Sequence, residues 1–312
     1  MHNRTENEIS SMLERVAFCA IKLSWKSDNP LPGVGERKSS YVGAGQDFTE
    51  FTLFEEGDDV RDINWALTAS SPVEDEIWKT IYQEEKEVNS FVLVKVGHSM
   101  DYGSAGTTKR GLAAQMTASI LFALDKTRDK AGLVVYSRDG IIDDLNKQSA
   151  MQAVYPGLTK IIEAEPYKAT GLSKGDGLAK ALSALPPSRS LVWVVSDFLD
   201  MSKKDWDELA EMALFHDVIC IYVQDRREIE LPKTTGFFGR IGWFYNQTDV
   251  DGNTRLIWNN AKTRRSYTEN FRRHETEVLA NLSKRMCECL TVVTDRVDAD
   301  IPRVLDLFSS HQ

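Results

Sequence analysis

The chain has 312 residues, of which 42% are hydrophobic and 27% charged, a composition that excludes a disordered or fibrous protein. Its 47 acidic and 38 basic residues give a net charge of −9. This acidity argues against a broad phosphate-binding surface, because surfaces that bind nucleic acids are basic. The length is enough for one large domain or two smaller ones.

Two basic clusters, Lys262–Arg265 and Arg272–Arg273, are local exceptions, and we interpret both as solvated helix faces. No segment is apolar over the roughly 20 residues that a bilayer core requires. Residues 1–6 also lack the apolar core of a signal peptide. We therefore expect a cytoplasmic protein that neither inserts into a membrane nor binds nucleic acid.

The cysteines lack the spacing of a zinc or redox motif, so we expect buried free thiols. They are Cys19, Cys220, Cys287 and Cys289.

The first part of the chain combines a predicted helix with an acidic, aromatic segment. Residues 6–23 have apolar side chains at helical spacing, and residues 77–82 alternate as a half-buried strand does. We expect Asp58 and Asp59 to lie in a tight turn that caps a strand or pairs with Arg61. The aromatic residues expected to anchor residues 46–70 to a core are Phe48, Phe51, Phe54 and Trp65.

From residue 90 onward, short apolar strands alternate with helices. The predicted strands are 91–96, 131–136, 190–195 and 217–223. The predicted helices are 108–127, 148–163, 173–185 and 202–214. This alternation predicts an α/β fold with a doubly wound, mostly parallel sheet and helices on both faces.

The predicted domains are an N-terminal helix and β-containing segment at 1–88 and an α/β domain at 89–312. An insertion at 225–265 interrupts the alternation and contains a predicted β-hairpin. A helix at 266–286, a strand at 289–293 and a helix at 300–309 then complete the α/β domain.

Three loops are predicted to converge at the carboxyl end of this sheet, where open α/β sheets bind ligands. They are Lys95–Met100, Gly175–Leu178 and Ser196–Phe198. Their hydroxyl and carboxylate oxygens are ligand types that suit Mg²⁺ or Mn²⁺. Lys95 is the exception, because it places a cation where a dication would bind.

Residues 43–70 closely resemble the signature of the family catalogued as domain of unknown function fifty-eight, and Gly57–Trp65 is the most specific part. Residues 195–198 (Val-Ser-Asp-Phe) match a second family motif. The resemblance implies a von Willebrand factor A-like domain and a MoxR-type AAA+ ATPase as partner. The chain departs from the family at Thr52, Asn64 and Ser70, where the family usually has Arg, Asp and Arg, so it resembles a diverged member.

The family resemblance also implies a metal-ion-dependent adhesion site, which this chain has altered. That site uses Asp-x-Ser-x-Ser after the first strand, a Thr at a later helix start and an Asp after the fourth strand. The matching positions here are Lys95, Gly97, Ser99, Asp176 and Asp197. Only Ser99 and Asp197 keep the ligand type.

An ammonium group repels a dication, so we predict that Lys95 takes the place of the ion. We expect it to pair with Asp197, and with Asp176 as a second partner, because a buried carboxylate needs a cation. The site would then need no metal or other cofactor.

The favoured function is a non-enzymatic, metal-free adaptor that recognises proteins together with a MoxR-type AAA+ ATPase in the assembly or maturation of protein complexes. The candidate contact residues are Asp58, Asp59, Arg61, Trp65, His98 and Met100.

Two alternatives remain open at this point. One is a ligand-binding protein that holds Mg²⁺ or Mn²⁺ with Ser99, Asp197 and either Asp101 or Asp176. The other is a serine hydrolase at Ser99, although the chain has Asp101 where the nucleophile-elbow motif needs glycine. The sequence does not predict an oligomeric state.

Overall fold

The computed structural model describes residues 9–14, 42–55, 58–71, 76–83, 89–104, 106–126, 129–164, 175–231, 243–248 and 254–310. The chain folds into two compact units. Residues 1–31 and 88–311 form what we call the α/β unit, and residues 32–87 form the signature unit.

A six-stranded sheet forms the centre of the α/β unit. Its strands, in spatial order, are β10 (Glu288–Val293), β7 (Asp217–Gln224), β6 (Ser190–Ser196), β3 (Asn89–Lys95), β4 (Lys130–Ser137) and β5 (Gly140–Ser149). All neighbours pair in parallel except β4 and β5, which are antiparallel. The predicted doubly wound, mostly parallel sheet is therefore confirmed.

Helices cover both faces of this sheet, as parallel strands require. Besides a helical segment at residues 9–14, the helices described in the α/β unit are α2 (Lys109–Lys126), α3 (Ala150–Glu163), α4 (Gly177–Ser183), α5 (Lys203–Phe215), α6 (Arg226–Ile229), α7 (Ala261–Lys284) and α8 (Val297–Ser310). One apolar core contains side chains of α2, α3 and α8, and the other contains side chains of α4, α5 and α7. Strand β3 contributes to both, because Val92 and Val94 belong to the first core and Leu93 to the second.

The helical segment at residues 9–14 packs with the α/β unit. Ile9 is 1% exposed and Met12 6%, and both belong to the core that contains α2. The predicted domain at 1–88 included this segment. The segment instead belongs with the α/β unit, because the side chains of Ile9 and Met12 are buried in the core of that unit.

The signature unit pairs β1 (Val42–Leu53) with β2 (Trp78–Gln83) in an antiparallel ladder. A 3₁₀ turn at Val60–Asp62 and the short helix α1 (Trp65–Ser70) connect them. The Asn64 carboxamide accepts a hydrogen bond from the Leu67 N–H, which caps α1, and donates to Thr80 Oγ1 on β2 at 3.2 Å. One amide thus joins the helix to the ladder.

The predicted hairpin in the 225–265 insertion is present as β8 (Trp243–Thr248) and β9 (Thr254–Asn259), which pair in antiparallel register. Its predicted turn at residues 251–253 lies outside the described residues. Of the cysteines, Cys220 and Cys287 are buried, Cys289 is partly buried, and all three are free thiols. Cys19 lies outside the described residues.

Among the described residues, none of the helices combines the length and apolar character needed to cross a bilayer.

Candidate functional site

The candidate site lies between the neighbouring strands β3 and β6, where the connections to the following strands run in opposite directions across the sheet. The chain leaves β3 toward β4 on one side, whereas β6 leads to β7 on the other. A crevice forms at such a switch point, beyond the carboxyl ends of the strands. Lys95 ends β3 and Asp197 directly follows β6, so the two side chains meet there.

The predicted ion pair between Lys95 and Asp197 is present, with 2.7 Å between Lys95 Nζ and Asp197 Oδ1. Both side chains are almost completely buried, at 4% and 1% exposure. Lys95 Nζ also pairs with Asp200 in the turn after β6. Lys95 therefore joins the end of β3 to two carboxylates of the neighbouring loop.

A second buried lysine, which sequence reasoning missed, binds the other oxygen of Asp197. Lys109 Nζ lies 3.1 Å from Asp197 Oδ2 and 2.6 Å from Glu228 Oε1, and its side chain is fully buried. Lys109 begins α2 and Glu228 belongs to α6. We call Lys95, Lys109, Asp197, Asp200 and Glu228 the lysine network.

A sharp turn positions the two aspartates of the network. Phe198 has φ +48°, a conformation that is costly for a residue other than glycine. Its ring is 1% exposed and contacts Trp206 and Tyr222, with ring centroids 6.5 and 5.8 Å away. Burial of this ring offsets the backbone strain and helps to hold Asp197 and Asp200 within reach of Lys95 Nζ.

Ser99 also acts on Asp197, because its buried hydroxyl helps to lower the pKa of that carboxylate through hydrogen bonding. The surrounding turn begins at Gly97, whose φ of +153° favours glycine. The next helix starts only at Lys109, ten residues after Ser99, whereas a nucleophile elbow requires a helix directly after the serine. Ser99 is thus a partner of the network within a long loop.

The prediction that Asp176 joins Lys95 is wrong. Asp176 precedes α4 and pairs with Lys180 at 2.9 Å and Lys204 at 3.1 Å. These contacts hold the pKa of Asp176 down at about 2. Lys180 lies one helical turn further along, within easy reach of an i,i+4 pair, and it captures the carboxylate at the surface.

Asp101, the other carboxylate considered for a metal site, binds the Arg110 guanidinium at 2.6 Å. Burial raises the pKa of Asp101 above its ordinary value in spite of this cation. Neither Asp101 nor Asp176 is thus available as a third oxygen ligand beside Ser99 and Asp197.

The buried carboxylate of Asp225 forms a group of hydrogen bonds that positions Glu228 of the lysine network. Asp225 follows β7 and is fully buried. Its carboxylate accepts hydrogen bonds from Ser104 N and Oγ and from Thr294 Oγ1, at 2.8, 2.6 and 2.6 Å. It also caps α6, and Glu228 completes the capping box from within that helix. Glu228 is thereby held where it can reach Lys109.

The charges of the network stabilise one another. Burial alone would raise the pKa of Asp197, but Lys109 and Lys95 hold it well below its usual range. Burial would likewise lower the pKa of Lys95, but Asp197 and Asp200 raise it above the ordinary lysine value. At Glu228 burial dominates and the pKa rises, although Lys109 opposes this.

These residues do not fit a divalent metal ion. Both oxygens of Asp197 are bound by ammonium groups, and each ammonium repels a dication. Within the described ranges, no cluster of three or more histidine, cysteine, aspartate or glutamate side chains is arranged to hold a metal. The charged groups of the lysine network at the crevice are instead paired with one another.

The candidate contact residues of the crevice loop differ in exposure. His98 is exposed, whereas Met100 is fully buried in the core. Met100 therefore cannot form part of a contact surface, and its proposal as a contact residue is wrong. Its apolar side chain packs with the core that contains α2.

The candidates in the signature unit are more accessible than expected. Trp65 is 65% exposed and Phe51 44%, so the prediction that they anchor the segment to a core is wrong. The Asp59 carboxylate accepts from the Arg61 N–H and caps the 3₁₀ turn. Asp58 pairs with Lys79 of β2 at 2.5 Å rather than with Arg61.

The pKa of Asp197 predicts how an Asp197→Asn variant responds to acid. Its ionised form stabilises the fold above the ordinary aspartate pKa of about 3.9, and this contribution is lost as pH falls toward the lower folded pKa. The difference in unfolding free energy between wild type and Asp197→Asn should be constant above about pH 5 and shrink by about 1.4 kcal/mol per unit below about pH 4. Urea unfolding across this range measures it. A difference that grows with acid would contradict the assigned ionisation.

A family model described as Protein of unknown function DUF58 matches residues 50–277. Among curated proteins, Uncharacterized protein Rv1480 of Mycobacterium tuberculosis (strain H37Rv) and Uncharacterized protein Mb1516 of Mycobacterium bovis are each 29% identical over 202 residues. The match covers 64% of this chain and 61% of each relative, so the chain spans less than two thirds of their length.

Among solved structures, the conserved hypothetical protein BatB from Bacteroides thetaiotaomicron aligns with a TM-score of 0.44 and 14% identity. The alignment covers 72% of this chain and 98% of that structure.

Proposed function

We propose that this chain, which belongs to the DUF58 family of proteins of unknown function, is a non-enzymatic module that recognises proteins without a metal ion. Its partner would be a MoxR-type AAA+ ATPase, and its role the assembly or maturation of protein complexes. The observation that carries the proposal is the pairing of both Asp197 oxygens with buried lysines. An adhesion-type site works by sharing a metal ion with the ligand, and the two ammonium groups beside Asp197 repel such an ion.

Recognition then requires another surface, and the signature unit supplies a suitable one. Val60 is 62% and Trp65 65% exposed, and exposed tryptophan is typical of residues that dominate binding energy at protein interfaces. Residues 47–62 contain seven acidic residues against one basic residue, Arg61. Exposed apolar residues in or next to an acidic stretch of sequence favour a partner surface that combines apolar and basic residues.

The test is binding of the full chain to the immobilised, purified ATPase of the same organism. We expect a Val60→Ala/Trp65→Ala variant to raise the Kd at least about tenfold, because loss of a tryptophan anchor costs about 2 kcal/mol or more. A Leu214→Ala/Phe215→Ala variant is the matched control, because these apolar residues are equally exposed, at 69% and 61%, but lie at the end of α5. Equal weakening by both variants would contradict a contact surface on the signature unit.

The same assay without nucleotide separates metal-free from metal-dependent recognition. We expect the Kd to be the same in EDTA and in Mg²⁺. Loss of binding in EDTA, restored by Mg²⁺ or Mn²⁺, would overturn the metal-free function and support a divalent-ion site.

A further inference from the structure

A cavity of about 500 Å³ opens between the residues after α6 and the first three turns of α7, wholly within the α/β unit. Three arginines line it: Arg264, Arg265 and Arg272. Its volume falls in the range of about 300–1,000 Å³ that is typical of ligand-binding sites. None of its described lining residues belongs to the lysine network.

The cavity lies in the most basic helical stretch of an acidic protein. Residues 261–273 contain five basic residues and one acidic residue, Glu269, which gives +4 against −9 for the whole chain. The sequence alone favoured a solvated helix face for these charges. The arginines instead converge on a concave surface, where like charges raise the local concentration of an anionic partner.

Two of the three arginines are available for a ligand. Arg265 and Arg272 are exposed, and neither forms an ion pair with a carboxylate in the described part of the chain. They lie seven residues apart on one helix, which separates them by about 10 Å along its axis. Each guanidinium can bind a carboxylate with two parallel hydrogen bonds.

The remaining lining residues restrict what can bind. Thr268 lies between the arginines, and Leu231 and Ala261 add apolar surface. Glu230 and Glu269 also line the cavity. Two carboxylates in the wall repel the evenly spaced phosphates of a nucleic acid, while a flexible peptide can place two of its carboxylates on the arginines and apolar groups on Leu231.

We propose that this cavity binds an acidic segment of a partner protein. An extended chain advances about 3.3 Å per residue, so carboxylates about three residues apart match the distance between Arg265 and Arg272. The site is independent of the proposed function, because it requires neither the signature unit nor the ATPase.

The experiment is fluorescence anisotropy of fluorescein-labelled octaglutamate with the full chain at low salt. We expect binding, and we expect an Arg265→Gln/Arg272→Gln variant to raise the Kd at least about tenfold. An Arg189→Gln/Arg296→Gln variant is the matched control, because it removes the same charge from side chains that are 76% and 65% exposed and lie outside the cavity. The control should change the Kd less than about twofold, and thermal unfolding should show that both variants fold.

Two outcomes would overturn this site. Absence of octaglutamate binding up to about 1 mM, or equal weakening by both variants, would show that the cavity does not recognise carboxylates. Tighter binding of labelled oligothymidylate than of octaglutamate, lost in the same cavity variant, would assign the site to nucleic acid instead. Val60→Ala/Trp65→Ala should leave octaglutamate binding unchanged, so failure of this site and failure of the proposed function are distinguishable.

Discussion

Replacing Lys95 with methionine is expected to lower the free energy of unfolding by about 3–5 kcal/mol. Methionine keeps the length and apolar stem of lysine but removes the ammonium. Asp197, 1% exposed, would then share its charge with Lys109 alone, and Asp200 would lose the buried cation it now contacts. Removing one partner of a buried pair is this costly because the remaining carboxylates lose much of their charge compensation where little water can replace it.

The matched control for Lys95→Met is Lys180→Met. Lys180 also pairs with an aspartate, Asp176, but its side chain is 50% exposed. Water can replace the lost cation there, so the expected loss is about 0–1 kcal/mol. Urea unfolding followed by circular dichroism measures both variants. If Lys95→Met lowered the free energy of unfolding no more than Lys180→Met does, the buried charges of the lysine network would not stabilise one another as proposed.

Asp197→Asn is expected to be similarly severe, with a loss of about 3–5 kcal/mol. The substitution keeps the shape of the side chain but removes the charge between two buried ammonium groups. Lys95 would retain only Asp200, and Lys109 only Glu228. The amide group would also place N–H donors against a lysine, which can only donate.

Asp200→Asn provides the matched comparison, because Asp200 shares the Lys95 partner but is 15% exposed. We expect Asp200→Asn to lower the free energy of unfolding clearly less than Asp197→Asn does. Lys95 would keep Asp197, its more deeply buried partner, and solvent reaches the altered side chain. Equal losses, measured in parallel urea titrations, would contradict the central position of Asp197 in the network.

The sheet could be predicted because its strands carry the signal themselves. β3, β6 and β7 are apolar over nearly their whole length, which is the pattern of strands buried on both faces. β5 was missed because it is the antiparallel edge strand, and its polar sequence at Gly140–Ser149 has no apolar run. The helices were predicted to within a few residues, because their apolar spacing is local.

The candidate site could be predicted only in part. Lys95 and Asp197 each follow or end a predicted strand, so the topology places them together. Lys109 and Glu228 are 88 and 31 residues from Asp197 in sequence, and no spacing rule connects them. One signal for Lys109 was available: a lysine in the first turn of a helix opposes the helix dipole, so it needs a partner elsewhere.

The errors at Asp176 and Trp65 have different causes. The helix start near Asp176 was predicted approximately, but a helix boundary does not determine which neighbour captures the carboxylate. Lys180 and Lys204 do so at the surface. Trp65 was assigned to a core because large aromatic side chains are usually buried, yet it lies exposed on a short helix of a small two-stranded unit.

The two lysines that share Asp197 also restrict which substitutions this crevice tolerates. A Lys95→Asp substitution would place a fourth carboxylate beside Asp197, Asp200 and Glu228, and only Lys109 would remain to balance them. A dication would still meet the Lys109 ammonium, so this variant would be destabilised without gaining a metal. Gly97→Ser would further require a different backbone, because φ +153° is rarely adopted by serine. A metal ion could therefore bind here only after several substitutions together, including one at Lys109.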